Sequence, residues 1–428
     1  MESQYPKLLI ISHNLYDINN NIGKTLVSLL NGWPKDRIAE IYFRNDPPSF
    51  NYCSQYYCIT DKEVLKSVVS LHTIKAGSVV SKSDELKCSS AENKLYAFGN
   101  HRHPSVSLVR DYMWNIGNWK TKELRNWILN TVKPDLILFV PNEYCLAYKV
   151  ALYVASLVNK PIVPFYMDDT FYFNVHTGII DSFRRKQIRT LATKIHIYSK
   201  SILTICDYMS NVYEKHFKKQ CFAFMNSVEI SEPRGAKRLG EQVLLTYMGN
   251  LHSNRWKSLV EIGRALESIE KEKGIHCIVN IYSTSYLEEA MKDAFNSVHT
   301  LNYVGNIPFS QLRAKRAESD ILLHVEAFDK RSVDSLMLSL ATRIPEYLST
   351  GVPIFAYGPA CLSTMRYLTD FDLAQVCYDK EDIVNQLSVL LSDENRRNDL
   401  ALRGFERAKT YHDRKKVSAH FQEILKNY

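Results

Sequence analysis

The sequence predicts two α/β domains, each built as a Rossmann-like parallel sheet with helices on both faces. Short apolar runs of buried-strand length alternate along the chain with stretches of helical spacing, which is typical of parallel sheets. The chain has 428 residues, enough for two domains, and 45% of them are hydrophobic while 23% are charged. A polar segment rich in Pro, Gly and charge (SEPRGAKRLGE, 231–241) is typical of a linker between the domains.

The first half of the chain contains four predicted strands and one polar loop of interest. The strands are KLLII (7–11), DLILFV (135–140), KPIVPFY (160–166) and ILTIC (202–206). Residues 50–130 give no clear assignment. After the first strand come a polar loop, Gly23 and a stretch of helical spacing, an order that predicts strand, loop, glycine and helix. A glycine at such a helix start lets a ligand approach the amide groups, where the helix dipole favours an anion. A plain strand-to-helix turn is the alternative.

Gly23, Lys24 and Thr25 also resemble the end of a Walker A loop. That pattern requires a second glycine five positions before Gly23, and Ile18 stands there. We therefore do not predict a nucleotide hydrolase.

The second half is more regular. Its predicted strands are VLLTYMG (243–249), CIVNIY (277–282), LNYVG (301–305), DILLHVE (320–326), PIFAYG (353–358) and AQVCY (374–378). Helical spacing is clearest in two apolar sets: Leu259, Ile262, Leu266 and Ile269, then Ile383, Leu387, Leu390 and Leu391.

The net charge of +8 suits an anionic partner such as a nucleotide diphosphate, a nucleic acid or a lipid headgroup surface. Basic residues cluster at 184–200, where no acid occurs, which indicates either a solvated helix face or a patch facing a membrane or acceptor. The segment 114–127 places Trp114, Trp119 and Trp127 beside basic residues, which is compatible with an interfacial surface or with a packed core.

Cysteine usage and the N-terminus indicate the compartment. None of the nine cysteines forms a C-x-x-C pair, so we expect reduced thiols and no zinc site. The sequence MESQYPK lacks the pattern of a signal peptide, and no apolar run reaches the roughly 18 residues of a spanning helix. We expect a cytoplasmic protein, in peripheral contact with the inner membrane face.

The stretch RIPEYLSTGVPIFAYGP (343–359) is the most specific in the chain. It predicts a short helix that carries Glu346 near its start and ends at Gly351, before an apolar strand. A carboxylate at such a position can accept two hydrogen bonds from vicinal ribose hydroxyls, while nearby amides bind phosphate. An ordinary first-turn glutamate is the alternative.

This stretch resembles the donor-site motif of GT-B glycosyltransferases, in particular family 4-like enzymes of bacterial surface polysaccharide clusters. Their motif has two glutamates separated by seven residues, and Glu346 with Gly351 matches its second half. Leu338 stands where the first glutamate is expected, and Ser339 lies beside that gap. Arg343 replaces the lysine of a subgroup with the pattern S-x-K-I-x-E-Y-L.

The resemblance extends to other loops. The loop with Gly23 resembles the first glycine loop of the family, PFYMDDTF (164–171) resembles a loop on the acceptor side, and FMNSVE (224–229) resembles the segment leading into the second domain. YMGNLHSNRWKSL resembles the pattern G-x-L-x-x-x-K-G, whose basic residues neutralise the diphosphate. The residues implied for donor binding, beyond Gly23, Ser339, Arg343 and Glu346, are Gly249, Asn250, Arg255, Lys257, Asn306 and Ile307.

The resemblance implies a GT-B fold with a central cleft. It implies an N-terminal acceptor domain (1–230), a C-terminal nucleotide-sugar domain (240–405) and a C-terminal helix (406–428) that returns to the first domain. It also implies transfer of a sugar from a nucleotide-diphosphate sugar to a glycan or lipid-linked glycan, with retention and with no metal or other cofactor. Cationic side chains would stabilise the leaving group.

The catalytic candidates come from both halves. If the reaction inverts, a base is required, and Asp168, Asp169 and His13 are candidates. Glu326, at the end of a predicted strand, is placed to bind sugar hydroxyls, with a surface acid as the alternative.

Other functions are less consistent with the pattern. A sugar-nucleotide epimerase of the same architecture is the enzymatic alternative. A basic nucleic-acid-binding protein is the alternative from another class, but no nucleic-acid-binding motif is found. The sequence Asp370-Phe371-Asp372 matches the metal-binding motif of GT-A glycosyltransferases, but its late position favours surface-loop acids.

Overall fold

The computed structural model describes residues 5–82, 104–172 and 178–428. The chain divides into two compact units. The first comprises Met1–Phe224 with Ser418–Tyr428, and the second comprises Met225–Val417. Cys88 lies outside the described residues.

The first unit is built on a largely parallel sheet. Within the described residues the sheet has eight strands in the order β4-β3-β2-β1-β5-β6-β7-β8. Only β4 is antiparallel to its neighbour among these paired strands. The strands are β1 (Leu8–Ile11), β2 (Ile38–Tyr42), β3 (Gln55–Cys58), β4 (Ser78–Val80), β5 (Leu136–Phe139), β6 (Ile162–Tyr166), β7 (Ser201–Thr204) and β8 (Gln220–Ala223).

The described helices of the first unit are α1 (Asn21–Leu29), α2 (Asp61–Val69), α3 (Pro104–Ile116), α4 (Lys122–Asn126), α5 (Cys145–Val158), α6 (Ile179–Ile197) and α7 (Asp207–Phe217). A π-helical turn, Trp127–Val132, follows α4. Local side chains define the helix starts. Asn20 caps α1 by accepting the Gly23 amide, and Thr60 with Glu63 forms a capping box at α2.

The four strands predicted in the first half are confirmed, each to within two residues at its ends. The interfacial interpretation of the tryptophan segment is wrong. Trp114, Trp119 and Trp127 are 1%, 2% and 3% exposed, so these indoles pack in the core while the neighbouring basic groups face outward. In its described residues, the unassigned region 50–130 contains β3, β4 and the helices α2, α3 and α4. Its short strands and aromatic-rich sequence gave no clear periodicity.

The second unit contains an entirely parallel sheet among the described strands, in the order β11-β10-β9-β12-β13-β14. The strands are β9 (Gln242–Met248), β10 (His276–Tyr282), β11 (Leu301–Gly305), β12 (Ile321–Val325), β13 (Ile354–Tyr357) and β14 (Gln375–Cys377). All six strands predicted in the second half are confirmed.

The described helices from the linker onward are α8 (Arg255–Lys273), α9 (Glu289–Asn296), α10 (Phe309–Glu318), α11 (Lys330–Leu336), α12 (Arg343–Leu348), α13 (Ser363–Asp370), α14 (Ile383–Ser392), α15 (Glu394–Tyr411) and α16 (Arg414–Lys426). The two apolar sets predicted from spacing are the buried faces of α8 and α14. The predicted C-terminal helix is two helices, because residue 406 lies inside α15 and the chain turns before α16.

The fold class of two Rossmann-like α/β units is therefore confirmed. None of the described helices is long and apolar enough to cross a membrane.

Candidate functional site

Several of the predicted donor residues of the second unit lie where its strand order reverses. β9 lies between β10 and β12, so the connections leaving β9 and β12 diverge to opposite sides. Ligands of open parallel sheets bind at the carboxyl ends of the strands beside such a reversal. The loop after β9 carries Gly249 and Asn250, and the residue after β12 is Glu326.

Arg255, the first residue of α8, is fixed in this crevice. Its Nε donates to Glu326 Oε2 at 2.7 Å and its Nη1 donates to Asn250 Oδ1 at 2.7 Å. Arg255 and Glu326 are buried, with 7% and 3% exposure. The chain enters α8 through two consecutive left-handed residues, Ser253 and Asn254, with φ of 56° and 58°. A left-handed backbone at a residue other than glycine is energetically unfavourable, and such strained turns often occur at functional sites.

Arg343, on α12, is the second guanidinium at this end of the sheet. Its Nη1 donates to the carbonyl of Met248 at 3.2 Å, and its guanidinium lies 5.0 Å from the ring centre of Tyr247. A Cβ added at Gly249 would lie 2.2 Å from Arg343 Nη1. Gly249 is therefore a glycine because a side chain there would displace this guanidinium.

His324, on β12, completes this group and is fully buried. Its Nε2 lies 3.5 Å from Glu326 Oε1. The pKa of His324 is held well below the usual value, mainly by burial and to a lesser extent by the positive charges of Arg343 and Arg255. The ring is therefore neutral. The pKa of Arg343 is raised: burial opposes its charge, but Tyr247, Tyr347 and Glu326 outweigh that effect.

Glu346 lies one helical turn after Arg343, on the same face of α12. Arg316, on α10, donates from Nη1 to Glu346 Oε2 at 2.7 Å, and the two side chains are only 10% and 14% exposed. The helix ends at Leu348, and Gly351 follows with a left-handed φ of 66°, as the sequence predicted. Glu346 is thus a paired carboxylate and not a free first-turn acid.

The remaining donor candidates are less closely connected. Lys257 is exposed on the first turn of α8 and lies over the Trp256 ring. Asn306 is exposed and Ile307 half-buried after β11, while Ser339 is buried and its amide donates to Leu336. Lys257, Asn306 and Ile307 form no side-chain hydrogen bond or ion pair with Arg255, Glu326 or Arg343 among the described residues.

In the first unit, His13 follows β1. Burial, with contributions from Arg110 and Arg44, lowers its pKa to about 3. The ring lies 5.0 Å from that of Tyr144. A neutral imidazole of such low pKa is a weak proton acceptor near neutral pH, which counts against a role as general base.

The two aspartates after β6 differ sharply. Asp168 is exposed, whereas Asp169 is buried. Asp169 Oδ1 accepts hydrogen bonds from the amides of Phe171 and Tyr172 and from Tyr213 OH, at 3.1, 2.9 and 2.8 Å. Burial raises the pKa of Asp169 and these bonds partly offset it. Asp169 therefore holds the loop in shape.

Gly23 has a structural explanation within its own loop. An added Cβ would lie 2.1 Å from the Asp17 carbonyl oxygen and 2.4 Å from that of Leu15, and the Gly23 amide already donates to Asn20 at 2.7 Å. Gly23 therefore allows the preceding loop, at Leu15 and Asp17, to pack closely against the start of α1.

Three residues of the group escaped the sequence interpretation. Arg316, His324 and Tyr247 carry no motif, and only the position of His324 two residues before Glu326, on the same strand face, was a usable signal. The Asp-x-Asp segment behaves as structure, since Asp372 pairs with Arg396 at 2.8 Å. No cluster of three His, Cys, Asp or Glu side chains suited to a metal is found in the described part of the chain.

Residues 261–423 match the model of a family described as glycosyl transferase-like. This match covers most of the second unit, including β10 to β14. No curated protein matches the sequence.

The whole chain is similar to solved GT-B structures at low sequence identity. Anabaena HepE, solved with UDP and glucose, has a TM-score of 0.60 and 10% identity, with 99% of this chain and 100% of that one covered. Sucrose-phosphate synthase of Thermosynechococcus elongatus gives 0.61 and 10%, covering 98% of each chain. A trehalose 6-phosphate synthase of Burkholderia multivorans gives 0.59 and 11%, covering 99% and 97%. These similarities confirm the predicted GT-B fold.

Proposed function

We infer that this protein is a glycosyltransferase, which moves a sugar from a nucleotide-diphosphate sugar to a glycan or lipid-linked glycan. Two findings support the nucleotide-sugar donor: the family match of the second unit, and a fold shared with proteins solved with UDP and glucose. By the same similarity we propose UDP as the nucleotide. Retention of configuration and a role in surface polysaccharide synthesis stay proposals that follow from the sequence resemblance.

The observation that carries the proposal is the pair of guanidinium groups at the end of β9. Departure of a nucleotide diphosphate concentrates negative charge on its oxygens, and fixed cations stabilise that charge as it develops. Arg255 is held by Glu326 and Asn250, so two of its nitrogens are occupied and its orientation is set. Arg343 is held against Met248 and Tyr247. We propose that these cations make a bound metal unnecessary.

The structure changes the roles that we propose for the two glutamates. Because Glu326 Oε2 accepts from Arg255 Nε at 2.7 Å, we propose that Glu326 mainly orients Arg255 and not a sugar hydroxyl. Glu346 Oε2 is bonded to Arg316, yet a carboxylate oxygen has two lone pairs, so Glu346 retains capacity to accept from ribose hydroxyls. We propose that Arg316 orients Glu346 for this purpose.

We also propose a peripheral contact with anionic membranes through α6. Of its basic cluster, Lys186 and Lys194 are exposed, as is Lys200 after the helix, whereas Arg184 pairs with Asp111. Exposed lysines near an anionic surface are each worth about 1 kcal/mol and are screened by salt. The protein should sediment with anionic vesicles more than with neutral ones, and equal sedimentation with both would contradict the contact.

The donor proposal is tested by thermal unfolding of the full chain with a panel of nucleotide sugars. A donor at about 100 times its dissociation constant stabilises the protein by about 2.7 kcal/mol. Arg255→Met should abolish transfer with less effect on donor affinity, because it removes charge stabilisation that matters most in the transition state. Lack of stabilisation by every nucleotide sugar, or full activity of Arg255→Met, would overturn the assignment.

A further inference from the structure

The second unit contains a cavity of about 330 Å³ at the carboxyl ends of β12, β13 and β14, beside the first turns of α8. Its volume falls at the lower end of the range for small-molecule sites, roughly 300–1,000 Å³. Of the donor residues predicted from sequence, Lys257 alone lines it in the described part of the chain. The cavity therefore extends beyond the assigned site.

One side of the cavity is aromatic. The rings of Phe328 and Tyr357 lie 4.8 Å apart with their planes tilted by 42°, and Tyr378 also lines the cavity. Tyr357 is buried as a floor, whereas Phe328 is 42% exposed. The face of an aromatic ring carries partial negative charge and attracts the slightly positive C–H groups of an aliphatic ring placed against it.

The remaining sides are polar, and some of their groups are not used by the fold. Glu261 is engaged, since it accepts from Tyr357 OH at 2.8 Å and pairs with Lys380 at 3.3 Å. The ammonium of Lys257 and the carboxylate of Asp379, by contrast, make no hydrogen bond or ion pair with any other described side chain. The cavity thus offers a donor and an acceptor without a hydrogen-bond partner among the described side chains, although the Lys257 ammonium lies 5.6 Å from the centre of the Trp256 ring.

The charge of the cavity limits its ligand. Two ammonium groups, of Lys257 and Lys380, face three carboxylates, of Glu261, Asp329 and Asp379, which leaves one net negative charge. A phosphate or diphosphate is disfavoured there, unlike beside Arg255 and Arg343. A compact ring with apolar C–H faces and an edge of hydroxyl groups matches both the aromatic and the hydrogen-bonding surfaces.

We propose that this cavity is a binding site for a neutral saccharide ring. The choice of a saccharide rests on the proposed glycosyl transfer. The position fits that reaction, because Ser258 lines the cavity and donates to the carbonyl of Glu326 at 2.8 Å. Ala327, the residue after Glu326, also lines the cavity, so a ring bound there would be close in the chain to the Arg255–Glu326 pair. Its source is either the glycosyl group of the donor or a sugar of the acceptor glycan.

The test uses the full chain, calorimetric titration and saturation-transfer NMR. The probes are glucose, galactose, N-acetylglucosamine, maltose and lactose, with glucose 1-phosphate as the anionic comparison, each alone and with saturating UDP or UDP-glucose. The variants are Phe328→Ala and Asp379→Asn. The control is Phe371→Ala, because Phe371 is also 42% exposed and does not line the cavity.

We expect at least one neutral probe to bind, and Phe328→Ala and Asp379→Asn each to weaken it at least fivefold with unchanged affinity for UDP. Competition by UDP-glucose but not by UDP identifies the donor's glycosyl group as the source, whereas binding that persists with both identifies the acceptor. Binding of no neutral probe up to its solubility, unchanged binding in both variants, or parallel loss of UDP affinity overturns the site.

The two proposals fail separately. Saccharide binding without any nucleotide-sugar binding removes the donor assignment and leaves the cavity. Sugar transfer without saccharide binding in the cavity would remove the cavity proposal and leave the donor assignment.

Discussion

Gly249→Ala tests whether the absence of a side chain after β9 is required for the observed position of the Arg343 guanidinium. The added Cβ would lie 2.2 Å from Arg343 Nη1, and carbon contacts below 3.0 Å essentially do not occur, so the guanidinium must move by at least 0.8 Å. A hydrogen bond of about 2.9 Å from this guanidinium to the diphosphate would be lengthened to about 3.7 Å, which is too long for a hydrogen bond. Bonds to charged groups contribute about 1.5–3 kcal/mol, so UDP affinity should fall about tenfold to a hundredfold.

The fold should tolerate this change, because the groups that must move, the Arg343 guanidinium and the Tyr247 hydroxyl, are the ends of side chains and not backbone. We expect the free energy of unfolding in urea to change by about 1 kcal/mol or less. Gly240→Ala is the matched control, since nothing lies within 4 Å of its added Cβ. That variant should bind UDP like the wild type.

The decisive measurement is a double-mutant cycle by calorimetric titration of UDP. Arg343→Ala should weaken UDP binding by a similar factor. The double variant should bind UDP no more weakly than Arg343→Ala alone, because without the guanidinium the added methyl group at position 249 has no cation to displace. If the two losses multiply, Gly249 acts independently of Arg343 and the reasoning is refuted.

Three further predictions concern other parts of the chain. Glu346→Gln should weaken UDP binding at least tenfold. It should also lower stability, because the partly buried guanidinium of Arg316 loses the negative charge that it pairs with. Unchanged UDP binding and sugar transfer would show that Glu346 has only a structural role. Gly23→Ala should lower the free energy of unfolding by about 1–3 kcal/mol, because the clash is with backbone; an unchanged urea midpoint would contradict it. Burial lowers the pKa of His196 and His412 to about 3, so the unfolded state binds more protons below pH 6.5 and stability falls on acidification, by about 2 kcal/mol for each histidine at pH 5. A melting temperature that does not change between pH 7 and 5 would argue against this, and His412→Gln should reduce the loss.

The sequence determined the strands and the helix faces, because their signals are local. The runs that became β1 and β5 are apolar over their whole length, as is typical of strands buried on both faces, and β9 and β12 are largely apolar. Gly351 marked the end of a helix because few other residues adopt a left-handed backbone. Arg255 could likewise be recognised as a cation next to a glycine loop. Region 50–130 resisted prediction because its short strands and helices lack a clear period.

Only the tertiary structure decided which of these residues act together. Arg255 and Glu326 are 71 positions apart, and they meet because β9 and β12 are neighbours in the sheet although β10 and β11 come between them in the chain. Arg343 reaches Met248 across 95 positions, and this approach alone explains Gly249. A pattern of residue types records periodicity and turn chemistry within one element. Strand order, and the side chains that it brings to one edge, depend on packing between elements distant in the chain.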